Sequence, residues 1–167
     1  MTIQRLFTRT PITALLLSSF VVLFVIQIAT GVDINQSSSP EYQQSLLLWG
    51  ANALPFTLIE PWRLISSAFL HIGLMHLLFN CFAIYFFGQA TEMSFGSAKF
   101  LLIFLLSALG GNLLNNYVTL WQILHNNGSP GISAGASGGI MGLGMALLMV
   151  ELLKKRLLNV RQQGPNP

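Results

Sequence analysis

The segment Gly131-Ile132-Ser133-Ala134-Gly135-Ala136-Ser137-Gly138-Gly139-Ile140-Met141-Gly142-Leu143-Gly144-Met145-Ala146 decides how this chain folds. It leaves the turn-forming cluster 126–131 and enters an apolar helix without meeting a charge. Ala134, Gly138, Gly142 and Ala146 recur every four positions, which on a helix makes a small-residue stripe where neighbouring backbones approach closely. The segment belongs to a run of 51 residues, 100–150, with no Asp, Glu, Lys or Arg. Only 8% of the 167 residues are charged and 53% are hydrophobic, whereas soluble domains carry about 25% charged residues. No water-soluble surface can be built from such a run, so the chain is an integral membrane protein. The net charge of +3 is no nucleic-acid signal, because Lys154, Lys155, Arg156 and Arg161 account for half of the eight basic residues and flank the end of a span.

Crossing the hydrocarbon takes about 20 apolar residues. Four runs qualify: 12–29, 64–87, 100–118 and 132–150. Residues 1–11 and a basic tail, 154–167, flank them. Arg5 and Arg9 precede the first run as in a secretory signal. That run exceeds the roughly 7–15 residues of a signal's apolar core, so a retained signal-anchor helix is expected. The amino-terminal segment, the second loop (Lys99) and the tail hold seven basic residues, against Arg63 alone on the alternate loops. The positive-inside rule then places both termini in the cytoplasm, as for a multi-pass protein of the bacterial inner membrane. The first loop, 30–63, is itself apolar, with Trp49 and Trp62, and is expected to lie partly in the outer membrane boundary. The lone Cys81 reads as a small buried hydrophobe.

Ser137 sits among glycines at the mouth of its helix, and polar groups at membrane depth are functional by default. His76 and Asn80 are four apart and share one face of the second span. On the same helix His71 would point about 140° away, at 3.6 residues per turn, towards the first loop. Polar glue between spans explains the His76–Asn80 pair equally well. The N–H groups at the start of the Ser137 helix are unclaimed by the helix and can receive a negative oxygen. The stretch also fits the G-x-S-x-G nucleophile elbow, but that motif needs a preceding strand. None is readable, which excludes a soluble α/β-hydrolase.

Several separate motifs make the chain resemble the rhomboid intramembrane serine proteases. They are Trp62-Arg63 in the first loop; His71, His76 and Asn80 in the second span; Gly88, Glu92 and Gly96-Ser97 in the loop after it; and Gly135-Ala136-Ser137-Gly138 opening the fourth. The resemblance runs from about residue 60 to 153. It implies an all-α, polytopic membrane helical bundle, with four transmembrane helices in this chain. It implies that Ser137 is the nucleophile and that His76 and Asn80 form an oxyanion hole with the Ser137 N–H. Trp62-Arg63 would belong to the membrane-embedded loop. The implied substrates are transmembrane proteins in the lipid bilayer, with no cofactor and no metal.

One element of that pattern is missing. The resemblance implies a general-base histidine from a sixth helix, and the only histidines here are His71, His76 and His125. His125 falls in the loop before the serine helix and reads as a surface residue. Serine is a poor nucleophile without a base. Three explanations follow in order: a fragment of a longer protein, a truncated pseudoprotease that binds membrane clients, or a protein completed by a second polypeptide that supplies the missing helices. A channel or transport subunit would carry charged residues inside its spans, and the four runs contain none.

The charge bias predicts that cysteines placed in the 126–129 turn react with an impermeant thiol reagent from outside intact cells, while cysteines in the 157–163 tail do not. The opposite labelling pattern would invert the topology.

Overall fold

The computed structural model describes residues 7–31, 39–126 and 128–162. Arg5, Asn127 and the last five residues of the basic tail lie outside them. Helix α1 is Pro11–Ala29. The first loop folds as three short helices: α2 (Pro40–Leu48), α3 (Leu54–Thr57) and α4 (Arg63–Ser66). Helix α5 is Leu74–Phe95, with a π-helical turn at Ile84–Gly88. Helix α6 is Ser97–Asn126 and α7 is Ser137–Gln162. Four of these, α1, α5, α6 and α7, are long and apolar enough to cross a membrane. The only β pairing among the described residues is one bridge, Asn52 with Ser133.

Several boundaries differ from the sequence reading. The second crossing helix begins at Leu74 rather than 64, because Leu70 is extended and Gly73 takes φ +79. His71 therefore lies before that helix, not on it. The helix also runs past 87 to Phe95, so Glu92 is a charged residue inside a span and not in a loop. Only Gly96, at φ +82, separates α5 from α6. The last two helices also continue beyond the expected limits of 118 and 150. His125 thus stands on the final turn of α6, exposed and stacked on Trp121 at 4.8 Å, and Lys154–Arg156 continue α7.

The buried carboxylate of Glu92 explains its own position. It accepts the Ile12 N–H (3.0 Å), the Thr13 N–H (2.8 Å), the Thr13 hydroxyl (2.8 Å) and the Ser97 hydroxyl (2.6 Å). It thus takes two of the four amides that open α1 and meets the positive end of that helix's dipole. Pro11, which needs no acceptor, precedes them. Gly88, one turn before Glu92, allows the approach, since a Cβ there would lie 3.0 Å from the Thr13 side chain. The Gly88–Glu92–Gly96–Ser97 motif is therefore one clamp on the start of α1.

The apolar core joins Phe20 and Phe24 of α1, Leu77 and Ile84 of α5, Phe100 and Phe104 of α6, and Ile140 and Leu143 of α7. The most extensive helix contact is α6 with α7. Gly138 and Gly142 of the small-residue stripe face α6 at Ser107 and Ala108, while Ala134 precedes the helix. The tightest approach to α6 backbone is at Gly139, outside the stripe, where a Cβ would sit 2.9 Å from the Phe104 carbonyl, while a Cβ at Gly142, in the stripe, would overlap the Ser107 side chain.

In the first loop, Arg63 is buried. It donates to Glu60 from Nε (2.6 Å) and pairs with it through Nη2, and it donates from Nη1 to the carbonyls of Leu47 (2.6 Å) and Ala51 (3.1 Å). The Trp62 ring lies 4.9 Å from the guanidinium. Leu48, Leu58 and Ile59 remain exposed on the outside of this loop.

Replacing Glu92 with Leu is expected to cost about 2–5 kcal/mol, given about 1–3 kcal/mol for each buried donor left unpaired. Thermal unfolding in detergent should report the loss, with faster amide exchange at Ile12 and Thr13. Unchanged stability would contradict the clamp.

Candidate active site

Tyr42 sets the start of α5. Its hydroxyl accepts the Gly73 N–H (2.9 Å) and donates to the His71 carbonyl (3.3 Å). One turn later His76 folds back, and its Nδ1 accepts the Ile72 N–H (3.3 Å). An accepting Nδ1 carries no proton, so the neutral ring holds its proton on Nε2. Asn80, one further turn along, is buried, and its Nδ2 has no hydrogen-bond partner among the described residues. The helix thus presents two N–H donors, His76 Nε2 and Asn80 Nδ2, on one face.

Both donors meet Gly135. A Cβ built there would lie 2.7 Å from His76 Nε2 and 3.4 Å from Asn80 Nδ2. Gly135 also takes φ +124, a conformation glycine adopts without strain. Its N–H donates to the Ser67 carbonyl at 2.8 Å, which pins the segment in place. Two residues on, Ser137 opens α7. The Ile140 N–H returns to the Ala136 carbonyl at 3.0 Å, so the Ser137 and Gly138 N–H groups precede the first helical bond.

The Ser137 side chain is exposed, and its Oγ makes no hydrogen bond to a described residue. It stands at the mouth of a cavity of about 200 Å³ lined also by Gly111, Asn112, Asn115, Ser133 and Gly138. The structure therefore brings His76, Asn80 and Gly135 together, with Ser137 two residues further along the chain. Other residues singled out in the sequence have different surroundings. His71 is buried, with its ring 5.0 Å from that of Phe20 and 5.4 Å from that of His76, and neither ring nitrogen has a hydrogen-bond partner among the described residues. Trp62 and Arg63 hold the first loop, Glu92 and Gly96 hold the far end of α5, and Gly138 packs on α6. The polar lining from Asn112 and Asn115 is not anticipated above, although those amides stand on an apolar helix at spacings as telling as that of His76 and Asn80.

Residues 59–164 match the protein-family model described as Rhomboid domain. The chain belongs to the rhomboid family. It is 39% identical over 107 residues to Rhomboid protease GluP of Bacillus subtilis, covering 64% of this chain and 19% of that one. It is 31% identical over 166 residues to Rhomboid protease AarA of Providencia stuartii, covering 93% of this chain and 53% of that one. RHOMBOID-like protein 6, mitochondrial, of Arabidopsis thaliana is 38% identical over 94 residues, covering 56% of this chain and 27% of that one. The chain thus spans between about a fifth and about half of the length of these rhomboid relatives. Family membership and the four apolar helices make it a multi-pass membrane protein of the rhomboid serine-protease family, with an all-α bundle.

Nitrogen NMR of the imidazoles should find His76 neutral, with its proton on Nε2. Gly135→Ala is expected to move that resonance, whereas Gly131→Ala, with open space around the new methyl, should leave it in place. A proton on Nδ1 would overturn the assignment of His76 as a donor towards Gly135.

Proposed function

We propose that this chain carries the nucleophile and the oxyanion donors of an intramembrane serine endopeptidase acting on transmembrane proteins. The observation that supports it most is the convergence of His76 Nε2–H and the buried, unpaired Asn80 Nδ2–H on Gly135, two residues before Ser137. In this reading Ser137 Oγ attacks a peptide carbonyl. The oxygen that becomes negative is received by the two side-chain donors and the Ser137 N–H. Donors already fixed in a dry site need no reorganisation as charge develops, which makes such holes effective. The cavity at Gly111, Asn115 and Ser133 suits a small side chain next to the cleaved bond.

Among the described residues no histidine hydrogen-bonds Ser137 as a general base would. His76 presents a proton rather than a lone pair at Nε2. His125 stacks on Trp121 and bonds that residue's carbonyl at 2.9 Å. The open side of α7 is the natural approach for a base. Ser137, Met141, Met145 and Met149 fall on one exposed stripe, and 17% of the α7 span is enclosed, against 33% for each of α1 and α5. A helix packed on that stripe would bring a histidine to Ser137 and cover the methionines. The unpartnered Ser137 hydroxyl also favours a second reading, a pseudoprotease that holds membrane clients without cutting them.

The test compares this 167-residue chain with the longest polypeptide its gene encodes, each with a Ser137→Ala control, on a model transmembrane substrate. The longer form should cleave. The chain alone should be slower by about 10⁶-fold, the scale of loss when the histidine base of a serine protease is removed. His76→Ala in the longer form should lower turnover by about 10²–10³-fold. Ser137-dependent cleavage at full rate by the short chain would put the base within it. Client binding without cleavage by either form would favour the pseudoprotease.

A further inference from the structure

We propose that Asn52, Asn112 and Asn116 form a positioning device that fixes the segment before Ser137 to the first loop. All three amides are buried in an otherwise apolar bundle. Asn52 and Asn116 exchange hydrogen bonds reciprocally, Nδ2 to Oδ1, at 3.0 Å in each direction. The Thr57 hydroxyl completes the Asn52 oxygen at 2.8 Å. One turn along α6, Asn112 donates to the Leu64 carbonyl (2.8 Å) and the Ser67 hydroxyl (2.9 Å), and its oxygen accepts from the Ser133 hydroxyl at 3.4 Å.

The backbone carries this fixation to the site. Asn52 and Ser133 pair through both backbone groups, at 2.9 and 2.8 Å. Ser67, held by Asn112, accepts the Gly135 N–H. Residues 133–135 are therefore fastened at both ends to elements whose own places depend on the three amides. Gly135 in turn sets the distance from Ser137 to His76 and Asn80. None of the three asparagines leaves its amide nitrogen unpaired, unlike Asn80. A satisfied buried network rigidifies what it holds, whereas an unsatisfied donor waits for a ligand. The three asparagines are positioning residues, and Asn80 is the one that meets the reaction. A displacement of about 1 Å at a reacting centre costs about 10²-fold, so the network controls turnover more than binding.

The catalytic part of this inference rests on Ser137 being the nucleophile, but the coupling itself does not. Asn116→Leu keeps the branched shape and removes both hydrogen bonds with Asn52. Amide exchange in detergent should become about tenfold faster at Ser133 and Gly135, with Ile12 and Thr13 on the Glu92 clamp unchanged. In the form that cleaves, kcat should fall about 10–100-fold with KM little altered, and Asn116→Gln should recover part of the loss. Unchanged exchange at 133 and 135 would overturn the coupling, and so would a uniform rise across all four spans. Faster exchange with an unchanged kcat would overturn the positioning role. Should Asn116→Leu fail to fold, the isosteric Asn52→Asp is judged by the same criteria. If no form cleaves, the proposed function fails while exchange still decides the coupling.

Discussion

Hydrocarbon offers no hydrogen bonds, so every polar group in these spans needs a partner from the chain itself. That constraint orders the structure. Glu92 takes up the first amides of α1 and the Ser97 hydroxyl. Arg63 is consumed by Glu60 and two carbonyls of the first loop. Asn52, Asn112 and Asn116 satisfy one another and nearby backbone. What is left over among the buried groups is chiefly Asn80 Nδ2 and both nitrogens of His71, whose ring lies 5.4 Å from that of the half-buried His76. The carbonyl side of the Gln27 amide is the one further buried orphan among the described residues. Unpaired donors in a dry interior cost stability, and the meeting of Asn80 Nδ2 with His76 Nε2 at Gly135 is what gives the site its chemical meaning.

Close backbone approach is the second requirement, and glycine supplies it at each critical contact. Gly88 lets α5 reach the start of α1, Gly139 brings α7 against Phe104, and Gly135 leaves room for the His76 ring. In each case the space a methyl would need is already filled. The same helix that is locked to α6 through its glycines presents Ser137 and three methionines on an adjacent exposed stripe. The serine is thus held by one face of α7 and offered on another.

The apolar runs, the charge-free stretch and the four-residue spacing of His76 and Asn80 were legible in the sequence because helical periodicity and hydropathy are local properties. The start of the second span was not. Residues 64–72 are as apolar as a crossing helix, and only the left-handed Gly73 and the Tyr42 hydroxyl, brought in from elsewhere, break them. Glu92 was misplaced for a related reason. A carboxylate argues against a span until its partners are known, and three of its four bonds come from residues about 80 positions away. The asparagine network likewise depends on contacts between distant segments, although Asn112 and Asn116 carried the same one-turn spacing that drew attention to His76 and Asn80. His71 was put on the wrong element because its helix was drawn too long.

The central claim is that Ser137, His76 and Asn80 serve one reacting centre. The most direct measurement is an experimental structure of the cleavage-competent form with a phosphonate bonded to Ser137 Oγ. The phosphonate oxygen stands in for the oxygen that turns negative during peptide attack. The account predicts that oxygen within hydrogen-bond distance, about 3 Å, of both His76 Nε2 and Asn80 Nδ2. An oxygen turned instead into the cavity at Gly111 and Asn115, with both donors still unpaired, would contradict it.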